Sequence, residues 1–323
     1  MKLGVFTVLY RDRSLEETLD HLVELGVEAV EIGTGNYPGD AHCKPDELLA
    51  DPAKARAFKD AITSRGLEIS GLSQHGNPVH PDEAFRTRDR EVWDKTIRLA
   101  EVLEVPVVMA FSGCPGDHPG AKYPNWVTCF WPEDYAKILD WQWNEVVIPY
   151  WTEATAFARS HGVTKLGFEM HPGFVVYNPE TLMRLRDAVG PEIGANLDPS
   201  HLFWQGVDAV EAIKWLGREN AIFHTHAKDT YLDRGNIART GVLDTKPYDQ
   251  VADRAWTFRT VGYGMGTQVW REIVSALRAV GYDGVLSIEH EDPLMSIDEG
   301  MAKGVRALRE ILISEPAPKM WWV

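Results

Sequence analysis

Short apolar runs rich in β-branched residues alternate with longer amphipathic runs along the chain. The first run, residues 3–9, predicts a strand, and Ser14 with Glu17 three positions later forms a capping box that begins a helix. Leu15, Leu19 and Leu22 recur at helical spacing until a glycine ends that helix. The same alternation predicts strands over residues 27–33, 67–72, 105–111, 165–170, 193–198, 221–227 and 284–289. Further helices are predicted over about 52–65, 82–103, 146–161, 178–190, 208–216, 268–280 and 297–313.

This order of elements makes eight strand–helix units. Alternation of this kind implies a parallel sheet, and eight units fit a closed barrel. We therefore predict the α/β class and a (β/α)8 TIM barrel formed by residues 1–323 as a single domain. A doubly wound open sheet is the alternative, but it usually carries a glycine-rich phosphate loop after its first strand, and this sequence has no such glycines there.

Two connections, about residues 112–143 and 228–267, are too long to be simple turns. Both follow strands, so in a barrel both lie at the carboxyl end, where active sites of this fold are built. The first contains four tryptophans, which suit either a lid over a sugar-like ligand or a subunit interface. The tail of residues 314–323 ends in Met-Trp-Trp-Val, and we expect it to dock on the barrel or on a neighbouring subunit, because exposed indoles are costly.

Charge and cysteine content restrict the partners and the compartment of the protein. With 33 basic and 48 acidic residues, the formal net charge of −15 repels nucleic acid and anionic lipid. The sequence contains no apolar run of membrane-spanning length and no recognisable signal peptide. Cys43, Cys114 and Cys129 form no CxxC pair and fit reduced thiols. We therefore expect a cytoplasmic protein that binds neither nucleic acid nor membrane, and a homo-oligomer, with a different partner subunit as the alternative.

Residues capable of binding a metal stand where each of the last four predicted strands ends. In chain order they are Glu169, Asp198, His226 and Glu289. Barrel closure would bring these strand ends together, and three carboxylates so close would repel one another unless a cation lay between them. We therefore predict one divalent ion, with Mn²⁺ favoured by this set of donors and Mg²⁺ or Co²⁺ as alternatives. Each residue alone has a structural explanation, such as a helix cap or a salt bridge, but four successive strand ends favour a metal site. His224 lies on the same strand face as His226 and is expected to support a neighbouring ligand from below.

The motifs NLDPSH, HTHAKD and SIEHED at these strand ends resemble those of the xylose isomerase-like sugar isomerase/epimerase superfamily. That superfamily includes ketose 3-epimerases, inosose dehydratases and endonucleases that act at abasic sites in DNA. The resemblance extends from EIG at Glu31, through SQHG at His75, to the last helix. It implies that all four strand-end residues are metal ligands. It also implies that Glu169 and Glu289 are the two catalytic carboxylates, one on each side of the substrate.

Three histidines outside the ligand set are expected near the substrate. The resemblance assigns His201 to a substrate oxygen. His75 ends the third predicted strand, where it would line the pocket or cap the barrel rim. His118, in the loop sequence GCPGDHPG, is a candidate acid that contacts the substrate, and a solvated loop position is the alternative.

One position departs from the pattern of the superfamily. Its epimerases carry an arginine six residues after the histidine ligand, but here that position is Leu232. The substrate must therefore be held differently. Lys228 and Arg259 are our candidates for that role, ahead of Arg239 and Arg254.

The resulting hypothesis is a metal-dependent sugar isomerase or epimerase. Proton abstraction next to a carbonyl would give a metal-stabilised enediolate, and a second glutamate would return a proton. The alternative is a lyase or dehydratase that eliminates water or an aglycone from a keto-sugar, keto-glycoside or cyclitol. An abasic-site endonuclease would need more metal-binding histidines than the fourth strand end, Met-Ala-Phe-Ser, supplies. A non-catalytic sugar-binding subunit would not need an intact ligand set.

Overall fold

Eight parallel strands close into a barrel in the computed structural model, which describes residues 1–316, 319, 320 and 322. The barrel strands are β1 (Lys2–Phe6), β2 (Ala29–Gly33), β3 (Glu68–Ser73), β4 (Val107–Ala110), β5 (Lys165–Glu169), β6 (Ile193–Leu197), β7 (Ile222–Ala227) and β10 (Val285–Ile288), and a separate hairpin is formed by β8 (Asp229–Leu232) and β9 (Trp256–Arg259). Neighbouring barrel strands follow chain order, and β1 closes the ring by pairing with β10, with Leu3 opposite Leu286. The predicted TIM barrel is therefore confirmed.

The barrel strands are buried on both faces, since one face meets the barrel interior and the other meets the surrounding helices. Every residue of β2, β4, β6 and β10 is buried. Large aromatic side chains fill part of the layer between barrel and helices, where Trp151 packs edge to face against Trp93 and Phe168. This rigid core fixes the positions of the strand ends.

Amphipathic helices surround the barrel. They are α1 (Leu15–Leu25), α2 (Pro45–Ala50), α3 (Pro52–Thr63), α4 (Glu83–Leu103), α5 (Glu133–Trp141), α6 (Ile148–Ser160), α7 (Pro179–Val189), α8 (Pro199–Gln205), α9 (Ala209–Arg218), α10 (Arg234–Thr240), α11 (Thr267–Ala279) and α12 (Ile297–Ile311). The predicted capping box is present at α1, where the Ser14 side chain accepts from the Glu17 N–H and the Glu17 carboxylate accepts from the Ser14 N–H. Gly26 ends α1 in the left-handed conformation, with φ of 73°.

The first strand is shorter than predicted. It ends at Phe6 instead of residue 9, and Thr7–Tyr10 form a short 3-10 helix. Within the described chain, the pairing of β1 with its two neighbours does not extend beyond Phe6. The next backbone groups therefore bond locally, as the Arg11 N–H does with the Val8 carbonyl at 3.3 Å.

The connection predicted over residues 112–143 contains a helix that the sequence analysis missed. The helix begins at Glu133, and a π-helical turn, Gln142–Val147, joins α5 to α6. The helix predicted over residues 146–161 corresponds to α6, which begins at Ile148 directly after this turn and has Pro149 in its first turn. Gln142 ties the preceding loop to this turn by donating to the carbonyl oxygens of Gly116 and Asn125 at 2.9 and 2.7 Å.

The connection predicted over residues 228–267 is also ordered. Its hairpin, β8 with β9, and α10 surround a small second core in which Trp204 stacks on Trp256 at 4.6 Å between ring centroids. Phe258 belongs to the same core and packs edge to face against His201 at 5.3 Å. This insertion therefore forms one wall beside the strand ends.

Parts of the C-terminal tail lie outside the described residues, namely Ala317, Pro318, Trp321 and Val323. Met320 and Trp322 are 63% and 65% exposed. Docking of the tail, in which Trp321 was expected to take part, stays a prediction. None of the helices in the described part of the chain is long and apolar enough to span a membrane.

Candidate active site at the carboxyl end of the barrel

The four predicted metal ligands lie together at one end of the barrel. Glu169 is the last residue of β5, His226 lies near the end of β7, and Asp198 and Glu289 directly follow β6 and β10. One donor atom from each lies within 4.8 Å of the others. The Nδ1 atom of His226 is 3.1 Å from Glu289 Oε2 and 3.4 Å from Glu169 Oε2. Parallel strands of a barrel end on the same rim, and this places side chains from distant parts of the sequence around one point.

Two buried atoms in this group lack a hydrogen-bond partner. They are Oδ2 of Asp198 and Nδ1 of His226. The other oxygen of Asp198 accepts from the Ser200 N–H at 2.8 Å, so Asp198 caps α8 and directs its Oδ2 atom to the site, where the Lys228 ammonium is 3.2 Å away. Unpartnered buried polar atoms are rare in native proteins and indicate an additional ligand. Three carboxylates and one imidazole nitrogen suit a divalent cation, so the donors fit the predicted ion; their role as ligands stays a prediction.

Glu31 is a buried carboxylate that the sequence analysis did not assign to the site. It lies in the middle of β2 and is fully buried. Its carboxylate accepts hydrogen bonds from His226 Nε2 at 3.0 Å, from Ser287 Oγ at 2.8 Å and from Ser73 Oγ. Burial raises the pKa of Glu31, but the histidines at positions 226 and 224 lower it to about 2 overall. A carboxylate can only accept hydrogen bonds, so Nε2 of His226 carries the proton and Nδ1 is free to bind a metal.

His224 lies one layer deeper in the barrel. Its Nδ1 atom is 3.0 Å from the Asn196 side-chain oxygen and its Nε2 atom is 3.1 Å from Ser70 Oγ. Burial lowers the pKa of His224 to about 4, so the ring is neutral at physiological pH. Its Nδ1 is 3.9 Å from Glu31, and the Asn196 side chain that it contacts also lies 3.1 Å from His226 Nε2. Both side chains connect His224 to the predicted ligand His226.

Three histidines surround Glu169 on the cavity side. The Nε2 atoms of His201 and His75 lie 2.9 and 3.1 Å from its two oxygens. His171, whose ring centroid is 4.2 Å from that of His201, was not assigned to the site, although it follows β5 by only two residues. Burial lowers the pKa of His171 to about 3, so its ring is neutral. Burial raises the pKa of Glu169, but hydrogen bonds from His201, His226 and His75 hold it well below its ordinary value.

Lys228 is the cationic side chain nearest the predicted ligands. Its ammonium nitrogen lies 2.7 Å from Glu289, 2.9 Å from Glu291 and 3.2 Å from Asp198, and it also faces the Phe258 ring. Burial lowers the pKa of Lys228, but these carboxylates raise it well above its ordinary value. Lys228 is therefore a charged part of the site.

Two other predicted substrate-binding residues lie elsewhere. The Arg259 side chain pairs with Asp292 at 3.0 Å and is 14% exposed. His118 is exposed and pairs with its neighbour Asp117 at 2.7 Å. Neither is among the described residues that line the cavity at the strand ends. Their contact with a substrate stays a prediction.

The strand-end residues open onto a cavity of about 350 Å³. This volume is near the lower end of the range for small-molecule sites, about 300 to 1,000 Å³. The lining residues are Phe6, Val8, Tyr37, Pro38, His75, Phe111, Glu169, His171, Phe174, Lys228, Glu289 and Glu291. A larger cleft of about 850 Å³ lies outside the barrel between α9 and α11, but it is lined by none of the four predicted ligands. The smaller cavity is therefore the candidate active site.

Comparisons with known proteins agree with this architecture. A model of the xylose isomerase-like TIM-barrel family matches residues 19–311. The uncharacterized protein YfiH of Bacillus subtilis is 40% identical over 314 residues, which cover 97% of this chain and 99% of that one. The structure of a D-tagatose 3-epimerase-like protein has a TM-score of 0.64 at 21% identity, over 96% of this chain and 97% of that one. The structure of the IolI protein with a bound zinc atom has a TM-score of 0.65 at 18% identity, over 97% and 98% of the two chains.

At such low identity the two solved structures show a shared fold. Membership rests on the family model, which spans nearly the whole barrel, and on the Bacillus relative, which matches from end to end. The chain therefore belongs to the xylose isomerase-like TIM-barrel family.

Proposed function

We propose that the protein is a divalent-metal-dependent sugar isomerase or epimerase that moves a proton next to a carbonyl group. The observation that carries the proposal is the pair Glu169 and Glu289. Both carboxylates line the cavity, and both lie within 3.4 Å of the unpartnered Nδ1 atom of His226. A base, an acid and a metal site beside one small cavity are the parts that such a reaction requires.

The ion would be held by Glu169, Asp198, His226 and Glu289. This mixed set of oxygen and nitrogen donors favours Mn²⁺, with Mg²⁺ or Co²⁺ as alternatives. The ion would polarise the substrate carbonyl and stabilise the negative charge that develops on its oxygen. The IolI structure, which shares the fold at 18% identity, contains a bound zinc atom, so a protein of this fold can hold a divalent metal; this does not identify the ion or its position here.

The two glutamates would handle the proton. Hydrogen bonds from histidines hold the pKa of Glu169 low. Burial raises the pKa of Glu289, but the charge of Lys228 holds it well below its ordinary value. Both carboxylates are therefore ionised at neutral pH, so one of them is available to take a proton from carbon. Once protonated, that group can return the proton to the substrate. Return from the opposite glutamate requires that this second group first take a proton from water, while the first group releases its own to water. His201, His75 and Lys228 are our candidates to bind and orient the substrate oxygens.

Elimination of water or of an aglycone is the alternative, and it needs an acid at the leaving group. Lys228 lines the cavity and is a candidate for that acid. The nature of the product separates the two reactions.

The test is a screen of keto-sugars with the purified protein, first stripped with a chelator and then reloaded with Mn²⁺. We expect metal-dependent conversion to an isomer or epimer, with deuterium incorporated from D₂O. Glu289→Gln and Glu169→Gln should abolish conversion, whereas Glu310→Gln, an exposed change on α12, should not. Full turnover by Glu289→Gln, or by the metal-free protein, would refute the proposal, and a product that has lost water would establish the elimination alternative.

A further inference from the structure

We propose that Glu291 is a specificity determinant that restricts the cavity to uncharged sugars and excludes phosphorylated or carboxylated ones. The inference rests on the proposed function for the location of the substrate. It concerns a residue outside the predicted ligand set. Glu291 stands at the mouth of the cavity with its side chain 49% exposed, and its carboxylate lies 2.9 Å from the Lys228 ammonium.

The first support is the balance of charge around the cavity. Four carboxylates lie in or beside the cavity, namely those of Glu169, Asp198, Glu289 and Glu291. Lys228 is the only cation among the described lining residues. A divalent ion and Lys228 together balance three of these carboxylates. One negative charge is left over, and in a buried site a second anion would be repelled strongly.

The second support is that the available donors are already engaged. Lys228 contacts three carboxylates, among them Glu291. At the nearby terminus of α8, Asp198 already accepts from the Ser200 N–H, so a carboxylate occupies the place where an anion would bind. Phosphate and carboxylate groups are normally bound by arginine, lysine or free backbone N–H groups, and Arg259 is paired with Asp292 instead.

The third support is the nature of the remaining wall. Phe111 and Phe174 stack with ring centroids 4.3 Å apart, and the Tyr37 ring lies 6.1 Å from Phe111. Phe6 is a further aromatic lining residue. Aromatic faces pack against the C–H surface of a sugar ring, but their negative π-faces offer nothing to an anionic group. The cavity therefore suits a polyhydroxy ketone with one apolar face.

The experiment compares binding of each free ketose with binding of its own phosphate ester, for example D-fructose with D-fructose 6-phosphate. Affinities for the Mn²⁺-loaded protein are measured by calorimetry at two salt concentrations. We expect the free ketose to bind at least about tenfold more tightly, because one unbalanced charge at close range is worth at least that factor. The difference in affinity between free ketose and phosphate ester should be smaller in Glu291→Gln and smaller still in Glu291→Lys. The remote change Glu310→Gln should leave this difference unaltered.

Equal or tighter binding of the phosphate esters by the unmodified protein would overturn the proposal. So would an unchanged preference in both Glu291 variants, provided that their thermal unfolding matches the parent protein. Binding of neither class would overturn it as well, because the cavity would not be a sugar site. Binding is measured without turnover, so a protein that prefers uncharged ketoses but fails to isomerise them would contradict the proposed function alone.

Discussion

Replacing Glu31 by glutamine should weaken metal binding without removing any predicted ligand. The carboxylate accepts from His226 Nε2, which leaves the lone pair of Nδ1 directed towards the other ligands. A glutamine of the same shape brings an NH₂ group as well as a carbonyl. If that NH₂ group faces Nε2, the proton moves to Nδ1 and blocks the atom that would bind the metal. In either orientation, His226 loses the neighbouring negative charge of Glu31, which makes the imidazole a stronger donor to a metal.

The size of the effect follows from the contacts of Glu31. It is fully buried and receives hydrogen bonds from one imidazole and two hydroxyl groups, so the lost interaction is not replaced by water. Loss of a partner of this kind typically reduces metal affinity about 10- to 100-fold, which corresponds to about 1.4 to 2.8 kcal/mol. Ser287→Ala removes one donor but keeps the carboxylate on His226, so it is the matched control and should change affinity less than Glu31→Gln does.

The assay is competition between protein and a chelator for Mn²⁺, with thermal unfolding of the metal-free variants as a check of folding. Glu31→Gln should bind Mn²⁺ less tightly, and turnover should recover in part when Mn²⁺ is raised above the new dissociation constant. Affinity equal to that of the parent protein would refute the idea that Glu31 sets the protonation of His226. If Glu31→Gln fails to fold, Ser73→Ala combined with Ser287→Ala removes both hydroxyl donors to Glu31 and tests whether they hold that carboxylate against His226.

Three further predictions follow from the described contacts. Mn²⁺ at 100 times its dissociation constant should stabilise the protein by about 2.7 kcal/mol in calorimetry, and Asp198→Asn should lose most of this stabilisation; equal stabilisation in that variant would argue against Asp198 as a ligand. Ser14→Ala should lower the free energy of unfolding by about 1 kcal/mol in urea, because it removes the cap of α1; no change would mean that the cap is dispensable. Burial raises the pKa of Cys43 and Cys114 to about 12, so at pH 8 almost no thiolate is present at either. Ellman's reagent should therefore modify only the exposed Cys129 in the folded protein and all three thiols in denaturant; rapid reaction of all three in the folded state would contradict this burial.

The order of strands and helices could be predicted because local patterns decide it. The capping box at Ser14 and the left-handed Gly26 have the predicted conformations, since both depend on a few neighbouring residues. Element ends were less predictable. β1 stops at Phe6 because its two neighbours stop pairing there. The helix α5, which a π-helical turn joins to α6, was not predicted within the connection of residues 112–143.

The sequence by itself determined the barrel and the four strand-end residues, because each of these residues follows an apolar strand and strand ends share one rim. Only the tertiary structure decided what surrounds them. Glu31 meets His226 across 195 positions of chain, and Glu291 reaches Lys228 across 63. No local pattern encodes such contacts, because they depend on how far each strand is staggered around the closed barrel and on which side chains then face its interior. The same closure pairs Arg259 with Asp292 and leaves the two unpartnered atoms of Asp198 and His226 facing one point.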